Sequence, residues 1–126
     1  MFGAMEEIAW DRDDMRDILA RDRRYHSRAY EFLQYVIDRL AAAKGEHAHL
    51  NATELTDGFI DIALDYFGPL AFAVVDGWGV HEGADLGELM RNLVESGRAG
   101  KDEGDRYEDF ADGPDLADAL KSPYSS

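Results

Sequence analysis

The chain contains no cysteine. Disulfide scaffolds, thiolate metal sites and cysteine nucleophiles are therefore excluded, and stability must come from an ordinary hydrophobic core. With 12 glycines and 3 prolines in 126 residues, neither a collagen-like nor a low-complexity chain is possible. Positive charge is also scarce: 13 bases face 27 acids, leaving a formal charge of -14. A field of that sign repels polyphosphates and anionic membrane surfaces, so general nucleic-acid binding starts at a disadvantage. Long apolar runs are missing too. The longest stretch without a charge, Tyr66 to Val75, contains Gly68 and Pro69 and is about half the roughly 20 residues that a membrane helix needs. The first twenty residues carry acids where a secretory signal needs a basic start and an apolar stretch, which gives the expectation of a cytoplasmic protein.

What is present is globular in kind: 45% apolar residues and 11% aromatics against 32% charged. A chain of this size buries roughly two-thirds of the surface exposed by its unfolded form. One domain over residues 1 to 121 is expected, with 122 to 126 fraying. The acids are mostly Asp and the bases mostly Arg. An Asp-rich, Lys-poor surface suits concentrated salt, where screening removes self-repulsion; genomic base composition produces the same bias without a physical cause.

Apolar periodicity predicts a mainly α fold of about five helices. Ile8, Met15, Ile18 and Leu19 form a narrow stripe on a short first helix. Ala29, Leu33, Val36, Ile37 and Leu40 mark a second over about 28 to 43, with Ser27 as N-cap and Gly45 as stop. The third starts at Asn51, which with Glu54 forms a capping box, while Leu50 and Leu55 occupy the positions of a hydrophobic staple. Its apolar face runs through Phe59, Ile62, Ala63, Tyr66 and Phe67, and Asp57, Asp61 and Asp65 line the other side. Gly68-Pro69 must end it. The nearly all-apolar LAFAVVDGWG reads as a short fourth helix at the centre of the fold. A fifth is predicted over about 84 to 96, with Asp85 and Glu88 as its capping pair and Gly97 as its stop.

After it, Arg98 to Lys101 and Arg106 to Phe110 flank a turn-like DEGD and suggest a small hairpin. Three consecutive helices and a hairpin follow the order of a winged helix, with residues 51 to 111 as the unit and 84 to 96 in the recognition position. A plain irregular helical bundle with an acidic tail explains the same pattern.

The blocks RDRRYHSRAYEFLQYVI, ELTDGFIDIALDYFGPLA, VVDGWGV and DLGELMRNLVESG, followed by KDEGDRYEDF, together resemble a family of small cytoplasmic bacterial proteins known only by a locus-tag name, with no assigned activity, cofactor or partner. The resemblance covers about residues 18 to 111. The family pattern has Asp-Pro-Arg-Tyr where this chain has Asp22-Arg23-Arg24-Tyr25, and a Phe or Val pair where this chain has Met90-Arg91. Since the family has no established functional residues, the resemblance assigns none here.

The candidate interaction residues are Arg21, Arg23, Arg24, Tyr25, Arg28, Trp78 and His81. The four arginines, with His26 and the interleaved Tyr25 and Tyr30, form the one basic stretch. Arginine forks suit carboxylate and phosphate alike, and tyrosines stack on unpaired bases. The competing reading pairs these arginines with Asp11, Asp13, Asp14, Asp17, Asp22 or the acidic tail within one molecule. Trp78, between Gly77 and Gly79, suits an interface anchor or a core position. His81, Glu82, Asp85 and Glu88, with His47 and His49 from another loop, have metal-binding side chains but match no ligand signature. Asp57, Asp61 and Asp65 on one helix stripe cannot enclose an ion. No catalytic motif appears, no cofactor is implied, and no enzyme activity is expected.

The expected function is thus that of a non-catalytic protein-protein interaction module. Residues 102 to 118, with eight acids and one base, can steer a basic partner. The alternative is a winged-helix-like nucleic-acid binder using the Arg21 to Arg28 stretch. Its recognition-helix candidate carries Asp85, Glu88 and Glu95 against Arg91 alone, the wrong sign for phosphate.

Overall fold

The computed structural model describes residues 12–45, 50–96 and 107–124, the side chains of 12–14 and 124 excepted. Six α-helices form its frame: α1 (Arg12–Arg21), α2 (Ser27–Lys44), α3 (Ala52–Phe67), α4 (Ala71–Gly77), α5 (Gly83–Glu95) and α6 (Leu116–Lys121). Three 3-10 segments, Gly68–Leu70, Tyr107–Asp112 and Ser122–Tyr124, connect or follow them. The fold is mainly α, as the periodicity predicts, with no strand among the described residues.

The start of α3 follows the capping logic of its sequence. Asn51 Oδ1 accepts from the Glu54 N–H at 2.8 Å, and Glu54 Oε1 accepts from the Asn51 N–H at 3.2 Å, satisfying two donors that a helix start otherwise leaves unpaired. Leu50 and Leu55 are both buried, as the staple requires. At the far end Gly68 adopts a φ of 55° and Pro69 follows, closing the helix where expected. Asp57, Asp61 and Asp65 all lie on the exposed face. By length and composition the stretch Ala52–Gly77 could cross a membrane. Its apolar face is instead the core of the protein: Leu55, Phe59, Ile60, Ile62 and Ala63 are buried with Phe32, Leu33, Val36 and Ile37 of α2 and Leu86, Leu89, Met90 and Leu93 of α5.

Phe32 stands at the centre of the aromatic packing. Its ring lies 5.1 Å from Phe59 in a T-shaped contact, 5.4 Å from Trp78 and 5.6 Å from Phe67, within the range of favourable aromatic pairs.

Several sequence expectations are corrected. The N-cap of α2 is His26, not Ser27: His26 Nδ1 accepts from the Arg28 N–H at 3.0 Å. An imidazole with an unprotonated Nδ1 can do what the more usual Ser or Asp does. The apolar α4 does not sit at the centre. Only Ala71 and Val75 are buried on it, and Leu70 just before it is 65% exposed; seven residues make too short a helix to present more than one buried edge.

The expected hairpin is also revised. Its second arm is a 3-10 segment from Tyr107 onward, while 98–106 lie outside the described residues. Gly83 and Gly87, four residues apart on α5, explain the change. A Cβ on Gly87 would stand 2.7 Å from the Tyr107 carbonyl oxygen, and one on Gly83 would collide with that of Phe110. The two glycines open a shallow face on which the 107–112 backbone lies directly, with Phe110 buried. Close backbone approach to a helix replaces the wing strand. Ser122–Tyr124 form a 3-10 turn after α6, and residues 125–126 of the expected fraying tail lie outside the described residues. Ile8 and Gly97 lie outside the described residues.

The turn Trp78–Gly79–Val80 brings the chain back against the segment between α1 and α2. The His26 N–H donates to the Trp78 carbonyl at 2.9 Å. Gly79 has a φ of 93°, and a Cβ there would collide with the Arg24 carbonyl oxygen. Gly77, by contrast, has open space around its Cα. Gly79→Ala should therefore destabilise the protein by about 2 kcal/mol or more, combining backbone strain with a clash. Gly77→Ala should be neutral or stabilising by up to about 1 kcal/mol, by restricting the unfolded chain. Urea unfolding midpoints of the two variants provide the check.

Candidate interaction site

The segment Asp22 to His26 carries three of the seven sequence-predicted site residues, Arg23, Arg24 and Tyr25, and the structure divides its surroundings into two groups. The first is a polar junction. Asp22, whose side chain is 12% exposed, accepts from Arg24 three times: from its N–H at 3.1 Å, Nε at 2.9 Å and a terminal guanidinium nitrogen at 2.6 Å. Asn92 Nδ2 donates to Asp22 Oδ2 at 3.1 Å and to the Tyr30 hydroxyl at 3.0 Å. Tyr25 is only 3% exposed. Its hydroxyl donates to Asp85 Oδ1 at 2.6 Å, and its ring meets that of Tyr30 edge-on at 6.3 Å.

Asp85 is the second hub. Its other oxygen accepts from the His81 and Glu82 N–H groups at 2.9 and 3.2 Å. The expected Asp85 and Glu88 capping pair is not formed: the box lies one turn earlier, with Glu82 at the N-cap and Asp85 as its partner three residues on. Asp85 reaches back to the residues before α5, whereas Glu88 lies against Arg24 at 3.4 Å and Arg91 at 3.2 Å.

These contacts fix the protonation states of the junction. The Arg24 guanidinium, bonded to Asp22, holds that carboxyl well below the usual carboxylate range against the opposing effect of burial. Burial, reinforced by the Asp85 hydroxyl acceptor, pushes the Tyr25 phenol far above its ordinary value. Burial also pushes Tyr30 up to about 12.

The remaining candidates are placed as follows. Arg21 bonds Glu95 at 2.6 Å, and Arg28 bonds Glu31 at 3.1 Å. Of the partners read from the sequence, only Asp22 is used among the described residues. Glu31, Glu88 and Glu95 do the rest, and no local pattern marks Glu88 and Glu95 because they come from α5, far along the chain. Trp78 is half-buried against Phe32 and Phe67. His81 is exposed, with Nδ1 2.6 Å from Asp76 Oδ1. Among the described residues no three His, Asp or Glu side chains gather for a metal ion. His47 and His49 lie outside those residues.

The second group is a groove. Met15, Arg16, Leu19 and Ala20 of α1 form one wall, Ser27 and Glu31 of α2 form the other, and Arg23 closes the end. Its volume is about 680 Å³, and it is broadly open to solvent. Met15 and Leu19 are partly buried against the core, and Ala20 is exposed. The sequence singled out Arg23 but missed Arg16 and the groove itself, since a groove needs two helices that the sequence cannot orient.

No family model matches the chain, and no curated protein or solved structure matches it either.

The junction sets the pH range of stability. A carboxyl whose folded pKa lies below its unfolded value of 3.8 stabilises fully above that value and loses the contribution as pH falls below it. Phenols raised above 10.0 stabilise below that value and lose the contribution as pH rises through it. Asp22→Asn should therefore flatten the acid limb of a stability profile below about pH 4, and Tyr25→Phe should flatten the alkaline limb above about pH 10. Thermal melts from pH 2 to 11 would show both.

Proposed function

We propose that the chain is a non-catalytic module that binds a protein partner through the α1–α2 groove. The observation that supports this reading is the groove's composition: an apolar floor of Met15, Leu19 and Ala20 with Arg16 and Arg23 beside it. An open concave surface that combines aliphatic side chains with arginines has the make-up of a protein-binding site. Reaction chemistry has no comparable support. The Asp22 carboxylate, whose pKa is depressed, is held by Arg24 and Asn92.

The alternative, nucleic-acid binding by the Arg21 to Arg28 stretch, draws less support. Arg21, Arg24 and Arg28 face Glu95, Asp22 with Glu88, and Glu31, so three of the four arginines bring a carboxylate with them. A phosphate backbone approaching that face meets little net positive charge.

A tagged full chain incubated with native lysate, with and without nuclease and at two salt concentrations, tests the reading. A discrete set of proteins that survives nuclease, and is lost with Ala20→Trp, is expected. Ala20 is exposed, so an indole there fills the groove without entering the core. Recovery that collapses with nuclease, or is indifferent to Ala20→Trp, would overturn it.

The same groove separates two neighbouring arginines. Arg24→Ala strips Asp22 of its main partner and should cost about 1–2 kcal/mol of stability, reduced from the full value of a charged hydrogen bond by the exposure of Arg24. Arg23→Ala should leave the unfolding midpoint unchanged and weaken partner capture.

A further inference from the structure

We infer that the segment this groove accepts is acidic and apolar together: a stretch of a partner protein in which a large apolar side chain stands next to Asp or Glu. The inference rests on the groove being the docking site and adds the chemistry of what enters it.

The argument begins from pairing. In a chain with 27 acids to 13 bases, an arginine has a surplus of carboxylates to meet. Arg21, Arg24, Arg28 and Arg91 each have one, and Arg39 lies 5.8 Å over the Tyr35 ring. Among the arginines whose side chains are described, Arg16 and Arg23 are the two without a hydrogen bond, ion pair or ring contact to a described residue. Both line the same groove.

Local geometry limits the described partners of both. On a helix, neighbours at i+3 and i+4 face a side chain and the neighbour at i+1 does not. Toward the C-terminus the facing neighbours of Arg16 are Leu19 and Ala20, both groove residues, and the exposed Asp17 at i+1 does not face it; toward the N-terminus they are Arg12 and Asp13, whose side chains lie outside the described residues. Arg23 follows Asp22, but both Asp22 oxygens are held by Arg24 and one also by Asn92. The remaining carboxylate at the rim, Glu31, is bonded to Arg28. Among the described residues, then, two arginines line an apolar groove with their donors unused.

An occupant must then satisfy two demands. The floor favours a large apolar anchor, and two guanidinium forks favour carboxylates, whose two oxygens match the fork geometry and whose desolvation arginine tolerates better than lysine would. A nucleic acid meets the second demand and wastes the first; a basic peptide meets neither. The overall negative field opposes the approach of an acidic segment, but it is screened beyond about 8 Å at physiological salt. Recognition therefore acts in the bound state, through slow release rather than steered arrival.

The test uses a random dodecapeptide library displayed on phage and panned against the full chain at physiological salt. Enriched sequences are synthesised and titrated by fluorescence anisotropy. The inference expects a large apolar residue beside Asp or Glu in the enriched set, binding lost with Ala20→Trp, and binding weakened about tenfold or more by Arg16→Glu with Arg23→Glu. Lys in place of the peptide's acids should restore binding to that double variant. Arg16 and Arg23 are exposed, so an unchanged urea midpoint verifies that the variant is folded. Enrichment that Ala20→Trp abolishes but the charge reversal leaves untouched would overturn the acidic inference and spare the docking site. Enrichment indifferent to Ala20→Trp, or none at all, would overturn both. Enriched basic peptides would overturn the acidic inference, and sequences reproducing this chain's own Phe2 to Trp10 would replace the partner by a second copy or the chain itself.

Discussion

The α1 side of the protein depends on one close approach, the backbone of Arg24 against Gly79. The loop between α1 and α2 has to bury part of its backbone, and buried N–H and C=O groups must be paired. It does so by lying on the Trp78–Val80 turn, where the His26 N–H reaches the Trp78 carbonyl and only a residue without Cβ fits at 79. The loop is then tied down at both ends, by Asp22 to Asn92 and by Tyr25 to Asp85. The end of α1 and the start of α2 share that anchor. So do the two walls of the groove.

The contacts at this anchor differ in what they contribute. Tyr25 is nearly fully buried and its hydroxyl has a short bond to a carboxylate; losing that acceptor would leave a buried hydroxyl unsatisfied, at a cost of about 1–3 kcal/mol. The pairs Arg21–Glu95 and Arg28–Glu31 each have a half-exposed arginine and contribute about 0–1 kcal/mol each. Their effect on stability is small, but their effect on the surface is not. Each removes a positive charge from the stretch that the sequence presents as a basic patch, so the patch largely cancels once the chain is folded.

What the sequence made legible is what short-range rules govern. The α3 start could be read from Asn51, Glu54, Leu50 and Leu55 because capping and stapling involve residues within five positions. The apolar stripes of α2, α3 and α5 were readable because burial follows helical period, and the Gly68-Pro69 stop because proline has no donor. What failed involves distant partners. The turn signal at Asp102 to Asp105 suggested a hairpin, but the path of 107–112 is set by Gly83 and Gly87 on α5, a contact between segments distant in sequence that no local pattern marks. The apolar content of α4 suggested the centre of the fold, whereas α2 and α3 had already filled it. At the candidate site, Arg23 and the buried hydrogen bond of Tyr25 show the same division: the residues were visible, but which arginine would lose its partner was not.

That choice belongs to Asp22. Its carboxylate lies between two adjacent arginines, and each could in principle take it. The loop conformation settles the competition, because the Arg24 N–H already donates to Oδ1 and brings the Arg24 fork round to both oxygens. Asn92 then adds a third direction of contact from α5, which fixes the carboxylate's orientation. Arg23, on the other side of the chain, is left pointing to the groove. The same bond that depresses the Asp22 pKa and seats the loop therefore leaves a cation beside Leu19 and Ala20. In a strongly acidic protein the position of a positive charge is informative only where the fold has prevented its neutralisation, and here the anchor of the fold and the charge of the groove have one cause.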